Sequence, residues 1–183
     1  MKSFCGKPTL ALLVVGLGIV LASGVASAAA VMLDWEVRGS GTAGGSCGLS
    51  TLVPGCTVTS SGSAIGTHVG NSTWTLSVTT GPVPIANSSG GNCFIANGAG
   101  NVTAANGDVI SYNTVGTLCE EAAAGSPYHY NGTFRITGGT GRFSSAVGAG
   151  NVVSTNPGGG GGSSFSVAND PTSFIHIDGT INY

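Results

Sequence analysis

The stretch Asn131–Gly150, NGTFRITGGTGRFSSAVGAG, reads as strand, tight turn, strand. Thr133, Arg135 and Thr137 alternate with Phe134 and Ile136, the two-residue period of a half-buried strand. Gly138, Gly139 and Gly141 supply the turn, because glycine reaches positive φ without a Cβ clash. Beyond it Phe143, Ser145 and Val147 alternate with Arg142, Ser144 and Ala146, which predicts that the second strand starts at once. The rest of the chain repeats this grammar. Past the N-terminal region no stretch keeps a helical period over the ~11–18 residues a helix assignment needs. The expectation is an all-β fold of roughly seven to nine short antiparallel strands, near the eight that close a small barrel and remove its edges.

Upstream, Val31–Arg38 sets Val31, Leu33, Trp35 and Val37 against Met32, Asp34, Glu36 and Arg38, a strand with one apolar face. Gly39–Gly66 is rich in Gly, Ser and Thr and reads as one long polar loop, either functional or plain surface. Thr67–Thr80 is the longest strand signal, with Trp74, Leu76 and Val78 on one face; Pro82 and Pro84 are expected to end it. Asn87–Asn92 is a turn cluster. Cys93–Cys119 reads as a hairpin about Asn106-Gly107. A two-residue loop leaves the two cysteines one residue out of register, so a β-bulge near Gly98 or Gly100 is expected. Glu120–Tyr130 reads as a loop, and Pro157–Ser164 as a flexible glycine run. Phe174–Tyr183 closes the chain with Ile175, Ile177, Ile181 and Tyr183 on one face. GAGNV occurs at Gly98–Val102 and Gly148–Val152 and suggests two equivalent strand starts.

Composition bounds the setting. Lys2 and Lys7, the apolar run Leu10–Leu21 and the small residues Ala26-Ser27-Ala28 form a secretory signal-peptide pattern over residues 1–28. The apolar run is shorter than the ~20 residues a spanning helix needs. One domain, residues 29–183, follows. It holds no lysine and only Arg38, Arg135 and Arg142 against seven carboxylates, which argues against nucleic acid and anionic lipid as partners. Cys47, Cys56, Cys93 and Cys119 are an even set in an exported chain, so two disulfides are expected. Hairpin register favours Cys93–Cys119, and elimination leaves Cys47–Cys56. Zinc requires paired close spacings such as C-x-x-C, and none occurs. No metal and no cofactor is expected.

Chemistry is thinly signalled. Gly138–Gly141 lacks the G-K-[ST] and following helix of a phosphate loop, and neither H-E-x-x-H nor G-x-S-x-G occurs. His68, His129 and His176 are scattered, and they meet only if a barrel brings them together. His176 shares a face with Asp178, opposite the isoleucines. Tyr128-His129-Tyr130 is either a binding lip or a strand start that tucks its tyrosines into the rim. Glu120 and Glu121 point apart on a strand, so they are not a shared acid/base pair. Asn71, Asn87, Asn101 and Asn131 fit the glycosylation acceptor pattern. The candidate ligand-binding residues are Tyr112, Tyr128, Tyr130, Arg135 and His176; no residue is assigned a catalytic role.

Gly138–Gly148, GGTGRFSSAVG, resembles the G-G-T-G-[KR]-F turn and small-residue strand of dirigent proteins, and allene oxide cyclases have a related turn. The order Thr67-His68-Val69-Gly70, Ala105-Asn106-Gly107-Asp108, GGTGRF and Gly179-Thr180-Ile181 also resembles a group of secreted bacterial barrels. The resemblance implies an eight-stranded antiparallel barrel with a lumen, and chemistry on a small hydrophobic molecule held inside it without a cofactor. The acidic functional residues of those families have no matching motifs here. The expected function is therefore an exported, non-catalytic barrel that binds a small apolar ligand or serves as an envelope or surface module. The alternatives are a cofactor-free cyclase or isomerase using the lumen, and an outer-membrane barrel, which the few aromatic residues disfavour.

Overall fold

A computed structural model describes residues 32–47, 52–87, 91–120, 128–156, 165–166 and 173–183. Residues 1–28, expected above to be a signal peptide, together with Glu121 and the 157–164 glycine run, lie outside them. The strands are β1 (Leu33–Gly45), β2 (Thr57–Gly66), β3 (Gly70–Ile85), β4 (Cys93–Ala104), β5 (Val109–Glu120), β6 (Tyr128–Gly139), β7 (Val147–Asn156), the two-residue β8 (Phe165–Ser166) and β9 (Ser173–Asn182). The ring runs β2-β3-β4-β5-β6-β7-β9-β1, and β1 pairs back onto β2, closing an eight-stranded antiparallel barrel. β8 adds to the end of β1 against Gly44 and Gly45.

Several expectations are corrected. The 39–66 loop is mostly strand: Gly39 to Gly45 continue β1, and Thr57–Gly66 is β2. β3 runs through Pro82 and Pro84 to Ile85. Its pairing with β4 shifts register between Thr80 and Pro84, an irregularity that tolerates residues unable to donate to the ladder. The β4–β5 turn has three residues rather than two. Ala104 donates its N–H to Asp108 O, and Gly107 takes φ 88°. That extra turn residue sets Cys93 opposite Cys119 without a bulge. After Gly139 the chain makes a 3-10 turn at Gly141–Phe143, so β7 starts only at Val147. Of the two GAGNV copies, Gly148–Val152 lies at the start of β7, one residue in, whereas Gly98–Val102 lies in the middle of β4. Each sets a glycine against an aromatic ring, Gly100 opposite Tyr112 and Gly150 opposite Phe134.

The interior is filled. Trp35, Trp74, Tyr112 and Tyr130 are all 1% exposed or less. Trp35 meets Phe134 edge-on at 5.3 Å between ring centroids, and Phe134 meets Tyr112 at 5.9 Å. Room for these rings comes from glycines. At the cross-strand pairs Gly41–Gly62, Gly116–Gly132 and Gly150–Gly179, a Cβ on either partner would overlap the facing strand.

Both ends are sealed. At one end the four recognised motifs converge. Phe143 is fully buried and packs edge-on against Tyr183 at 4.8 Å. Arg142 donates its backbone N–H to Asp108 Oδ2 (3.3 Å) and a guanidinium N–H to His68 O (2.6 Å). His68 sits at φ 65°, left-handed for a non-glycine residue. Its Nε2 lies 3.0 Å from Asp34 O and its Nδ1 3.2 Å from Tyr183 Oη. In the neutral ring Nε2 carries the proton, since a carbonyl only accepts, and Nδ1 accepts from the phenol. At the other end Leu52 (1% exposed) plugs the opening, on a loop stapled by Cys47–Cys56. The second disulfide, Cys93–Cys119, ties the ends of β4 and β5. Bridges of this kind typically contribute about 2–4 kcal/mol.

Candidate functional site

Strand alternation sorts the five candidate ligand-binding residues into two groups that never meet. Tyr112, Tyr128 and Tyr130 point inward and are buried; Arg135 and His176 point outward. The Tyr128-His129-Tyr130 segment is the start of β6 with its tyrosines tucked inside, not an exposed lip. Tyr112 Oη donates to Thr75 O at 3.4 Å, and Tyr130 Oη lies 2.8 Å from Thr114 Oγ1. These contacts place the phenols in the packing.

Burial pushes the Tyr112 phenol well above its ordinary value, with a smaller contribution from Tyr130. Tyr128 is raised by burial and then by the Glu120 charge; Tyr130 is raised by burial, opposed by its hydrogen bond with Thr114. An acid whose folded value is raised adds stability at low pH, and loses it as pH climbs past the unfolded phenol value of about 10. In an ultraviolet titration of phenolate absorbance, these three tyrosines are therefore expected to ionise late and together with unfolding. Ionisation near pH 10 with the fold intact would show that they are solvent-facing.

The outer wall carries the accessible chemistry, and its main cluster lies on β7, β9, β1 and β2. β1 turns Glu36 and Arg38 outward because Trp35 and Val37 turn in; β9 turns Phe174 and His176 outward because Ile175 and Ile177 turn in. Register sets Arg38 between His176 and Ile65, and Ser40 between Phe174 and Ser63. Arg38 Nε donates to Glu36 Oε1 at 2.7 Å, and His176 Nε2 lies 3.2 Å from the same oxygen. The Arg38 hydrogen bond and charge hold the Glu36 carboxyl below the usual carboxylate value, with His176 adding to the effect against slight desolvation. Glu36 is thus a carboxylate at neutral pH, and it fixes the guanidinium in place.

Phe174 is 51% exposed and Ile65 68%. Phe174 and Arg38 stand between two grooves. One, of about 320 Å³, is bounded by Val153, Thr155 and His176. The other, of about 660 Å³, is bounded by Ser40, Ser63, Ile65 and Asn71. A third groove of about 610 Å³ continues across β1 to β6 over Thr42, Thr59, Ser61, Thr75 and Asn101, with no charged side chain in its lining. Arg135 stands apart in a fourth, of about 660 Å³, with Thr79, Asn97 and Thr133.

The sequence reading missed Phe174, Arg38 and Glu36 as site residues. The alternation of 32–38 and 174–178 marked them as outward-facing, but their meeting depends on the β1–β9 pairing. Among the described residues no three His, Cys, Asp or Glu side chains gather to hold a metal. No family model matches the chain, and no curated protein or solved structure matches it.

Proposed function

We propose that the chain acts outside the cytoplasm as a non-catalytic recognition module, an envelope or surface barrel whose working surface is its outer wall. One observation carries this reading: the interior is occupied by Trp35, Trp74, Tyr112, Tyr130 and Phe134, which keep almost no accessible surface. A lumenal cyclase or apolar carrier needs an apolar cavity of at least ~300 Å³ with a few converging polar groups. Rings lining such a cavity would retain accessible faces. The two disulfides fit an oxidising compartment. The outward rows of Thr, Ser and Asn on β2 to β6 suit water better than the apolar band of a membrane-spanning barrel.

The test equilibrates the exported, oxidised chain with an apolar fluorophore such as an anilinonaphthalene sulfonate, and with a long-chain fatty acid. The folded barrel is expected to take up neither. Uptake of one probe per folded chain, with a change in tryptophan emission, would replace this reading with a lumenal ligand.

A further inference from the structure

Resting on the recognition-module reading, the inference concerns what the outer wall binds. Phe174 offers a half-exposed ring face beside a guanidinium that Glu36 already neutralises. Around it stand groups that both donate and accept, the hydroxyls of Ser40 and Ser63 and the amide of Asn71. Ser63 and Ser61 are successive outward residues of β2, so the groove beside Phe174 runs into the third groove with its Thr, Ser and Asn lining. Neighbouring strands set these side chains ~4.8 Å apart across the wall, on the scale of one sugar ring.

Charge decides against the other occupants. The third groove has no carboxylate to hold a polycation. Among the described residues the arginine beside Phe174 is already paired with Glu36, and His176 faces the same carboxylate, which disfavours a polyanion. Hydroxyl-lined walls offer little to an apolar chain. A neutral polyhydroxylated polymer satisfies every group present. The C–H face of a pyranose packs on an aromatic ring, and its hydroxyls exchange hydrogen bonds with Ser, Thr, Asn and Arg.

We propose that this wall binds a neutral polysaccharide chain, with one sugar ring stacked on Phe174 beside Arg38 and the following sugars laid along the Ser/Thr/Asn groove.

The experiment is affinity electrophoresis of the exported chain in native gels cast with soluble galactomannan or mixed-linkage β-glucan, and depletion by cellulose and by chitin, with alginate as the anionic comparison. Retardation or depletion by at least one neutral polymer is expected. Phe174→Ala should weaken it about tenfold or more, the scale of withdrawing an aromatic ring from a contact, while Phe174→Trp keeps it. Thr75→Glu, out in the third groove, should weaken it several-fold. Phe174 is half exposed, so its variants are expected to fold; an unchanged melting temperature checks this.

Binding by no neutral polymer, binding by alginate alone, or full affinity in Phe174→Ala would each overturn the proposal. If the apolar probes still stay out of the folded barrel, those outcomes remove the ligand class and leave the module reading standing. Stoichiometric uptake of an apolar probe removes both.

Discussion

Replacing Gly100 with alanine is expected to destabilise the barrel by about 3 kcal/mol, and with valine to abolish the fold. In an ordinary strand the change to alanine is favourable by roughly 0.5–1 kcal/mol, so the sign itself is diagnostic. A Cβ on Gly100 would overlap Cζ and Oη of Tyr112 and come within 2.5 Å of the Thr75 carbonyl oxygen. Tyr112 cannot retreat, because its ring is 1% exposed and lies edge-on to Phe134, which itself abuts Trp35. Overpacking of this kind typically costs about 1–3 kcal/mol, and displacing the phenol also loses its hydrogen bond, about 1 kcal/mol more. Urea midpoints measure it. Ala99→Val, one residue away on the outer face, should stay within about 0.5 kcal/mol of the parent. In the background of Tyr112→Leu the cost of Gly100→Ala should shrink but not vanish, since the Thr75 carbonyl stays in place. Equal costs in both backgrounds would show that the ring is not the obstacle.

Glu120→Ala is expected to cost about 3–5 kcal/mol, although the residue lines none of the four grooves described. The side chain is 9% exposed. Its Oε2 accepts the Leu52 N–H at 2.8 Å and its Oε1 the Asn92 N–H at 3.0 Å. Its own backbone N–H donates to Asn92 O at 2.9 Å. One carboxylate therefore ties the Leu52 plug and the connection before β4 to the end of β5. Hydrogen bonds to a charged group are worth about 1.5–3 kcal/mol each, and removal leaves two amides unpartnered. Glu120→Gln should lose about half as much, because an amide offers one acceptor where two are needed. Amide hydrogen exchange separates a local from a global effect. The Leu52 and Asn92 N–H groups should exchange faster in Glu120→Gln while mid-strand amides of β4 stay protected. Unchanged exchange at both amides would show that the carboxylate does not hold the cap.

Where the sequence could be read, side-chain bulk and strand alternation lay in the same strand. β6 shows Phe134 and Ile136 inward against Thr133, Arg135 and Thr137 outward. β2 and the second half of β1 were illegible because their inward positions are mostly small, Gly39, Gly41 and Ala43 on β1 and Ser60, Gly62 and Ala64 on β2, with Val58 alone adding bulk. A Cβ on Gly39 would lie 2.5 Å from Trp74 Nε1. The bulk that fills this part of the core comes mainly from β3, so the strands that enclose it show too few large apolar residues to mark a period. The Cys93–Cys119 pairing was legible, but its one-residue mismatch resolves in the turn rather than in the strand, because Gly107 alone takes positive φ there. At the site, the outward direction of His176 followed from Ile175 and Ile177. That it meets Glu36 and Arg38 is a property of the seam between the first and last strands, which no local pattern encodes.

That seam also sets the order of events in folding. β1 completes its pairing only with β9, at the far end of the sequence, so the closing contacts are the most distant the chain can make. Such non-local pairing is slow, because loop entropy is lost before contacts reward it. Until the last strand arrives, β1 to β7 form an open sheet whose unpaired edges are β1 and β7 and whose inner face is uncovered. Maturation is consequently a single late step rather than a strand-by-strand accretion. The yield of folded protein is then set by a race between arrival of Ser173–Asn182 and edge-to-edge association of the unfinished wall.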